Sequence, residues 1–209
     1  MVSSAMNLMW VIGVNQTTAI LFETPREAGG YGMSTKSAGY CALTPVASVL
    51  LGEVIGHWTN EWVARRYVAT HNGIFKPEAR LPPIYPAHVL MVAGLVTIGQ
   101  SLGRHLSLAA VVLGWGMFVF GQMVMTVSLT AYILDAYPTA PGEIASLMNA
   151  SRILSGFSVG YFQLGWGQSV GWAASFGTQA GISAASLTII IVLNIWGERL
   201  RAKGGPLKI

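Results

Sequence analysis

The chain has 209 residues, of which 53% are hydrophobic and only 10% are charged, and its mean hydropathy is +0.54. Soluble domains carry about a quarter charged residues, so this composition excludes an ordinary soluble protein and indicates an integral membrane protein. The formal charge of +4 does not indicate nucleic-acid binding, because the basic residues lie at the ends of apolar runs and form no stripe with aromatic neighbours. The single cysteine, Cys41, provides neither a disulfide framework nor a cluster of thiolate ligands.

Apolar runs recur that approach the roughly 20 residues a helix needs to cross a bilayer. They predict one all-α domain over residues 1–209, an integral membrane bundle of six helices. The predicted spans are residues 4–22, 38–58, 87–102, 106–134, 144–166 and 171–196. In the first span, the polar run from Asn15 to Thr18 predicts an edge that faces protein or water rather than lipid. Because the chain begins almost directly on a span, we expect a truncated protein or half of something larger.

One long polar stretch, residues 60–86, separates the second and third predicted spans. It carries a third of the twelve Lys and Arg residues, namely Arg65, Arg66, Lys76 and Arg80. Cytoplasmic loops of membrane proteins are enriched in Lys and Arg, so we expect this loop to be cytosolic. Six spans then place both termini in the cytosol, and we expect the protein in the plasma membrane.

Other polar side chains near or within the spans have two interpretations each, and both stay open. Asp135, Glu143 and Arg152 either extend to the membrane interface or pair with the basic loop across the cytosolic mouth. Pairs of the second kind, formed in one conformation and broken in another, would bias a gate. The neutral side chains either hydrogen-bond a neighbouring helix or line a polar cavity. They are Gln16, Gln122, Asn149 and Gln163.

Small residues recur one helical turn apart, which predicts close contacts between helix backbones. The pairs are Gly52/Gly56, Gly99/Gly103, Gly156/Gly160 and Gly177/Gly181. Around Ser158 the sequence also spells G-x-S-x-G, the nucleophile motif of hydrolases. That motif needs a strand-to-helix turn, whereas here it lies in an apolar helical run. We therefore predict a protein that is not an enzyme and that uses no metal or cofactor.

Two blocks of the sequence carry a family resemblance. GEVIGHWTNEWVARRYVATHNGIFKPEARLPP resembles the loop between helices eight and nine of fungal major facilitator superfamily transporters, although Glu61 stands where Asp is more common. TAYILDAYPTAPGEIASLMNASRILSGFSVGYFQLGW, with SFGTQAG after it, resembles helices ten to twelve of the same group. The resemblance covers essentially the whole chain and implies the C-terminal half, helices seven to twelve, of a twelve-helix transporter. In that fold two six-helix halves enclose a central cavity and rock against each other.

The resemblance also implies roles for individual residues. The first and fourth spans would line the cavity, and the loop over residues 60–86 would form part of a cytosolic latch. The candidate substrate-binding residues are Asn15, Gln16, Gln122 and Tyr132. The candidate gating residues are Asn60, Glu61, Arg65, Arg66, Asp135 and Arg152.

These observations together predict transmembrane transport of a small organic molecule. Proton coupling stays open, because Glu53 and Asp135 both fall near span ends rather than at mid-membrane. The expected partners are the lipid bilayer and the small organic substrate. Further candidates are protons, a second six-helix half, and a second copy of this chain. The alternative is a truncated, non-transporting membrane protein with a structural or interaction role.

Overall fold

The computed structural model describes residues 2–138 and 140–204, so the last five residues of the predicted cytosolic tail lie outside it. The helices are α1 (Val2–Glu23), α2 (Thr35–Cys41), α3 (Leu43–Thr70), α4 (Ile84–Gly103), α5 (Leu108–Ala136), α6 (Pro141–Val170) and α7 (Trp172–Gly204). Two short 3-10 turns, Arg26–Ala28 and Pro77–Arg80, lie in the connections. No strand occurs in the described residues, and the predicted all-α membrane bundle is confirmed.

The second predicted span is interrupted near its start. α2 ends at Cys41 and α3 begins at Leu43. Pro45 explains the interruption, because proline has no N–H to donate to the Cys41 carbonyl and its ring crowds that group. The helical stretch Thr35–Thr70 as a whole is still long and apolar enough to cross a membrane.

Four helical stretches in the described residues combine the length and hydropathy of a membrane span. They are Thr35–Thr70, Ile84–Gly103, Leu108–Ala136 and Trp172–Arg199. Helices α1 and α6 contain more polar side chains, including Asn15 and Gln16 in α1, and these two helices pack against each other. Each predicted span overlaps one helix, except that the second span includes parts of both α2 and α3. The points at which the helices enter a bilayer stay predictions.

The polar stretch 60–86 begins as a continuation of α3, and its position on the cytosolic side stays a prediction. α3 continues to Thr70, since the segment after Asn60 contains neither proline nor glycine and Glu61 supports Arg65 one turn later. The helix ends before Asn72 and Gly73, whose φ values of 54° and 82° lie in the left-handed region. The Pro77–Arg80 turn then leads into α4.

Close helix contacts hold the bundle together. α5 packs between α3 and α4, α7 packs on α4, and α1 lies against both α6 and α7. A Cβ atom at Gly52 would lie 2.8 Å from Met123 Cβ, and one at Gly99 would lie 2.6 Å from Phe176 Cβ. These glycines therefore allow α3 to approach α5 and α4 to approach α7, as their spacing predicts. Gly177 differs, because no atom of another described helix lies within 4 Å of the position its Cβ would take.

The buried apolar residues form two clusters along the bundle. The larger one joins α1, α4, α5, α6 and α7, and its fully buried members include Val14, Leu95 and Phe118. The smaller one lies where α5 ends and α4 begins, and it contains Leu81 and Ile84. The smaller cluster places the Pro77–Arg80 turn firmly against α5, which positions the polar site described next.

Candidate functional site

Arg80 lies at the centre of a polar cluster that joins α3, the turn before α4 and α5. Its Nε donates a hydrogen bond to Asp135 Oδ2 on α5, and its Nη1 donates to Asn60 Oδ1 on α3 at 2.6 Å. Asn60 Nδ2 donates in turn to the Arg80 carbonyl at 3.1 Å. Glu61 Oε2 lies 3.8 Å from Arg80 Nη1. We term Asn60, Glu61, Arg80 and Asp135 the Arg80 cluster.

The Arg80 cluster is largely shielded from solvent. Asn60 is 2% exposed, and the side chains of Arg80 and Asp135 are 19% and 31% exposed. The Arg80 guanidinium also lies over the Phe75 ring, 5.5 Å from its centroid. Hydrogen bonds to charged groups are stronger in such a site than on an open surface, because water competes less. The cluster therefore ties α3, the turn before α4 and the end of α5 together.

Three of the six predicted gating residues, Asn60, Glu61 and Asp135, meet in the Arg80 cluster. The other three lie apart from its centre. Arg65 Nε donates to Glu61 Oε1 at 3.0 Å on the exposed face of α3, and Arg66 lies over the Trp62 ring at 5.3 Å from its centroid. Arg152, on α6, forms no ion pair within the part of the chain that the structure describes. A gating role for each of the six stays a prediction.

Sequence reasoning does not single out Arg80, although this residue connects the predicted ones. The available signal is the segment P-E-A-R from Pro77 to Arg80. It begins with a proline, and two further prolines, Pro82 and Pro83, follow shortly after it. A basic residue in such a rigid turn is held in one position. The sequence does not reveal which polar groups that position faces.

The segment around this turn also contacts α7 through two polar bonds. Lys76 Nζ donates to Glu198 Oε2 at 2.7 Å, and Asn194 Nδ2 donates to the Tyr85 hydroxyl at 2.7 Å. The hydrogen bond with Glu198 raises the pKa of Lys76 above its usual range. Both side chains of the Lys76–Glu198 pair are well exposed, at 44% and 67%, so this pair adds less than the Arg80 cluster does.

A cavity of about 490 Å³ lies between α1 and α6. Ile12 and Gln16 line it from α1, and Phe157 and Tyr161 line it from α6. Gln16 Oε1 is buried and accepts no hydrogen bond from the described residues. The two aromatic rings pack edge to face with centroids 4.9 Å apart, and both remain more than half exposed. We term this site the α1–α6 cavity.

The chemistry of the α1–α6 cavity suits an organic ligand. A buried amide oxygen without a partner is costly, so a ligand that donates a hydrogen bond to Gln16 Oε1 would be favoured once the side chain turns that oxygen toward the cavity. The Phe157 and Tyr161 rings offer flat apolar surface beside it. Gly160 lies beside Gln16, because a Cβ atom there would be at ordinary contact distance, 3.4 Å, from Gln16 Nε2. A few polar groups in a mainly apolar concavity are typical of small-molecule sites.

The other three substrate-binding candidates lie outside this cavity. Asn15 Oδ1 accepts a hydrogen bond from Trp115 Nε1 of α5 at 3.0 Å. Gln122 is 3% exposed, and its Nε2 donates to Thr126 Oγ1 at 3.4 Å. Tyr132 is 5% exposed and packs in the smaller apolar cluster. The structure therefore separates the four candidates, and substrate contact by each of them stays a prediction.

Buried polar side chains also connect α7 to α1 and α6. Asn7 Nδ2 donates to Ser186 Oγ at 2.7 Å, and Gln179 Nε2 donates to Gln163 Oε1 at 3.0 Å. All four residues are fully buried. Of the two interpretations open for Gln163, the structure thus supports a hydrogen bond to a neighbouring helix.

Comparison with known proteins gives relatives of one kind. The chain is 26% identical to the efflux pump radE of Floropilus chiversii and 27% identical to the MFS-type transporter tndD of Aspergillus flavipes, each over 82% of this chain and 32% of the relative. It is 26% identical to the major facilitator superfamily multidrug transporter mdrA of Aspergillus fumigatus, over 63% of this chain and 22% of the relative. No family model and no solved structure matches the chain.

The chain is similar to fungal major facilitator superfamily transporters over much of its length. The resemblance found in the two sequence blocks is confirmed at the level of this superfamily. The chain spans about a third or less of the length of these major facilitator relatives. The relatives and the apolar helices together identify an integral membrane protein.

These three relatives are named as an efflux pump and two transporters rather than as enzymes. The hydrolase-like motif agrees with that class of protein, because it lies inside α6. Ser158 Oγ donates to the Leu154 carbonyl of the same helix at 3.0 Å, as serines in membrane helices commonly do. No strand-to-helix turn presents this serine as a nucleophile in the described residues.

Proposed function

We propose that this chain moves a small organic molecule across a membrane as the six-helix part of a secondary transporter. The observation that carries the proposal is the α1–α6 cavity, in which the buried Gln16 oxygen lacks a partner beside two accessible aromatic rings. The efflux pumps and transporters among the relatives support the same class of activity. Proton coupling is a further part of the proposal, for which we assign no residue.

In this proposal the Arg80 cluster is a latch at one end of the bundle. It joins α3, at Asn60 and Glu61, to the end of α5, whereas the α1–α6 cavity lies near the middle of α6. Breaking the cluster would release α3 and the end of α5 from the turn that holds them. The latch would therefore stabilise one conformation of the transport cycle. We place this end and both termini in the cytosol, and the protein in the plasma membrane.

Transport by the purified chain in liposomes tests the proposal, with rhodamine 6G as an aromatic probe. We expect Gln16→Ala and Tyr161→Ala each to lower the initial rate about fivefold, the effect of losing roughly 1 kcal/mol of ligand contact. Gly177→Ala is the matched control, because its side chain would point into open space on another helix. Equal rates in all three variants and the parent chain would remove the α1–α6 cavity from the transport path.

The alternative is a membrane protein that does not transport and instead associates with itself or with a second six-helix half. Crosslinking of the same liposomes distinguishes the two ideas. A chain that crosslinks into defined dimers yet moves no probe would support the interaction role. Probe movement that depends on Gln16 would support transport, whether or not dimers form.

A further inference from the structure

An apolar groove of about 420 Å³ lies where α3, α4 and α5 meet, away from the α1–α6 cavity. Ile55, Thr59 and Trp62 line it along one face of α3, and Pro86 and Leu90 line it from α4. Ile55 and Trp62 are 41% and 52% exposed, so the groove opens to the surface. Neither the proposed substrate site nor the Arg80 cluster includes any of these five residues.

The walls of the groove offer almost no hydrogen-bonding groups. Pro82, Pro83 and Pro86 form part of it, and proline has no backbone N–H. The Thr59 hydroxyl already donates to the Ile55 carbonyl at 2.7 Å within its own helix. An occupant of this space is therefore hydrocarbon, because any polar group placed here would lose its partners in water.

A cation lies next to the groove on the same face of α3. Arg66 follows Trp62 by one turn, and its guanidinium carbon lies 5.3 Å from the centroid of the Trp62 ring. Arg66 is exposed and forms no ion pair with a described residue. Arg65 differs, since its guanidinium is bonded to Glu61 at 3.0 Å. The groove thus combines an apolar body with one uncompensated positive charge beside it.

We propose that this groove binds a phospholipid with an anionic head group, its acyl chain along the groove and its phosphate beside Arg66. The charge selects the occupant, because a sterol or a neutral detergent tail would leave Arg66 without a counter-charge. Guanidinium groups form paired hydrogen bonds with phosphate oxygens, and tryptophan favours the level of lipid head groups. Basic residues beside a membrane span attract anionic lipids by about 1 kcal/mol each.

Native mass spectrometry of the purified chain in detergent tests this site, with dioleoyl phosphatidylserine and dioleoyl phosphatidylcholine as probes. We expect one tightly retained phosphatidylserine and weaker retention of phosphatidylcholine. Arg66→Gln should weaken phosphatidylserine binding about fivefold, which corresponds to the roughly 1 kcal/mol of one basic contact. Arg65→Gln is the matched control. It removes the same charge from the neighbouring residue, whose side chain is already paired with Glu61.

A second variant tests the acyl-chain half of the site. Leu90→Trp fills the groove and leaves Arg66 in place, so it should also reduce phosphatidylserine retention. If Leu90→Trp does not fold, Ile55→Trp at the open edge of the groove replaces it. Equal retention of both lipids, unaffected by Arg66→Gln, would show a hydrocarbon groove without head-group recognition and overturn the proposal. Displacement of the lipid by inorganic phosphate, with no effect of either tryptophan, would show a simple anion site and overturn it as well.

Discussion

Replacing Arg80 by alanine tests the energetic importance of the Arg80 cluster most directly. The change removes the bonds to Asp135 and Asn60 and leaves a 31% exposed carboxylate without its counter-charge. A hydrogen bond to a charged group contributes about 1.5–3 kcal/mol, and partial access of water to Asp135 reduces the loss of two such bonds. We therefore expect Arg80→Ala to lower the free energy of unfolding by about 2–3 kcal/mol.

The measurement is unfolding of the purified chain in mixed micelles by increasing amounts of sodium dodecyl sulfate, followed by circular dichroism. Lys76→Ala is the control, because it removes an ion pair to Glu198 whose two side chains are 44% and 67% exposed. Water screens an ion pair this exposed, so this control should shift the transition little. Arg80→Lys should fall between the two, since an ammonium group keeps the charge but loses the planar fork.

The result that would refute this reasoning is equal stability of Arg80→Ala and Lys76→Ala. The bonds seen at Arg80 would then be no stronger than those of a solvated surface pair. A large effect of Arg80→Ala combined with an equally large effect of Arg80→Lys would show that the fork geometry, and not the charge, supplies the stability. Either outcome would weaken the case for a latch biased by electrostatics.

Three further predictions concern the interior of the bundle. Gly52→Val should lower the free energy of unfolding by about 1–3 kcal/mol, because its Cβ would lie 2.8 Å from Met123 Cβ, whereas Gly177→Val should change it little in the same assay. Gln179→Ala should destabilise the chain by about 0.5–2 kcal/mol through loss of the bond to Gln163, and no change would mean that this bond adds nothing. Gln122→Ala should slow rhodamine 6G transport, since the buried Gln122 Oε1 has no partner in the described residues and is available to a ligand once the bundle opens. Unchanged transport would exclude Gln122 from the substrate path.

The sequence by itself determines the class of this protein. Composition and runs of apolar residues predict an all-α membrane bundle, because the cost of exposing polar backbone to lipid leaves a helix as the simplest spanning structure. The polar run in α1 predicts an edge that faces protein or water rather than lipid, and Thr17 and Thr18 are fully buried in the bundle. The spacing of Gly52 and Gly56 predicts a close helix contact, which α3 makes with α5. These properties follow from residues near one another in the chain.

Only the tertiary structure shows which distant residues meet. Asn60 and Asp135 are far apart in the sequence, and they come together only because α3 packs on α5 and a short turn places Arg80 between them. The same packing separates Gln16, beside the open α1–α6 cavity, from Tyr132, which lies in a closed apolar cluster. Hydropathy and residue spacing act within one helix at a time, whereas these contacts depend on how whole helices rotate and pack against each other.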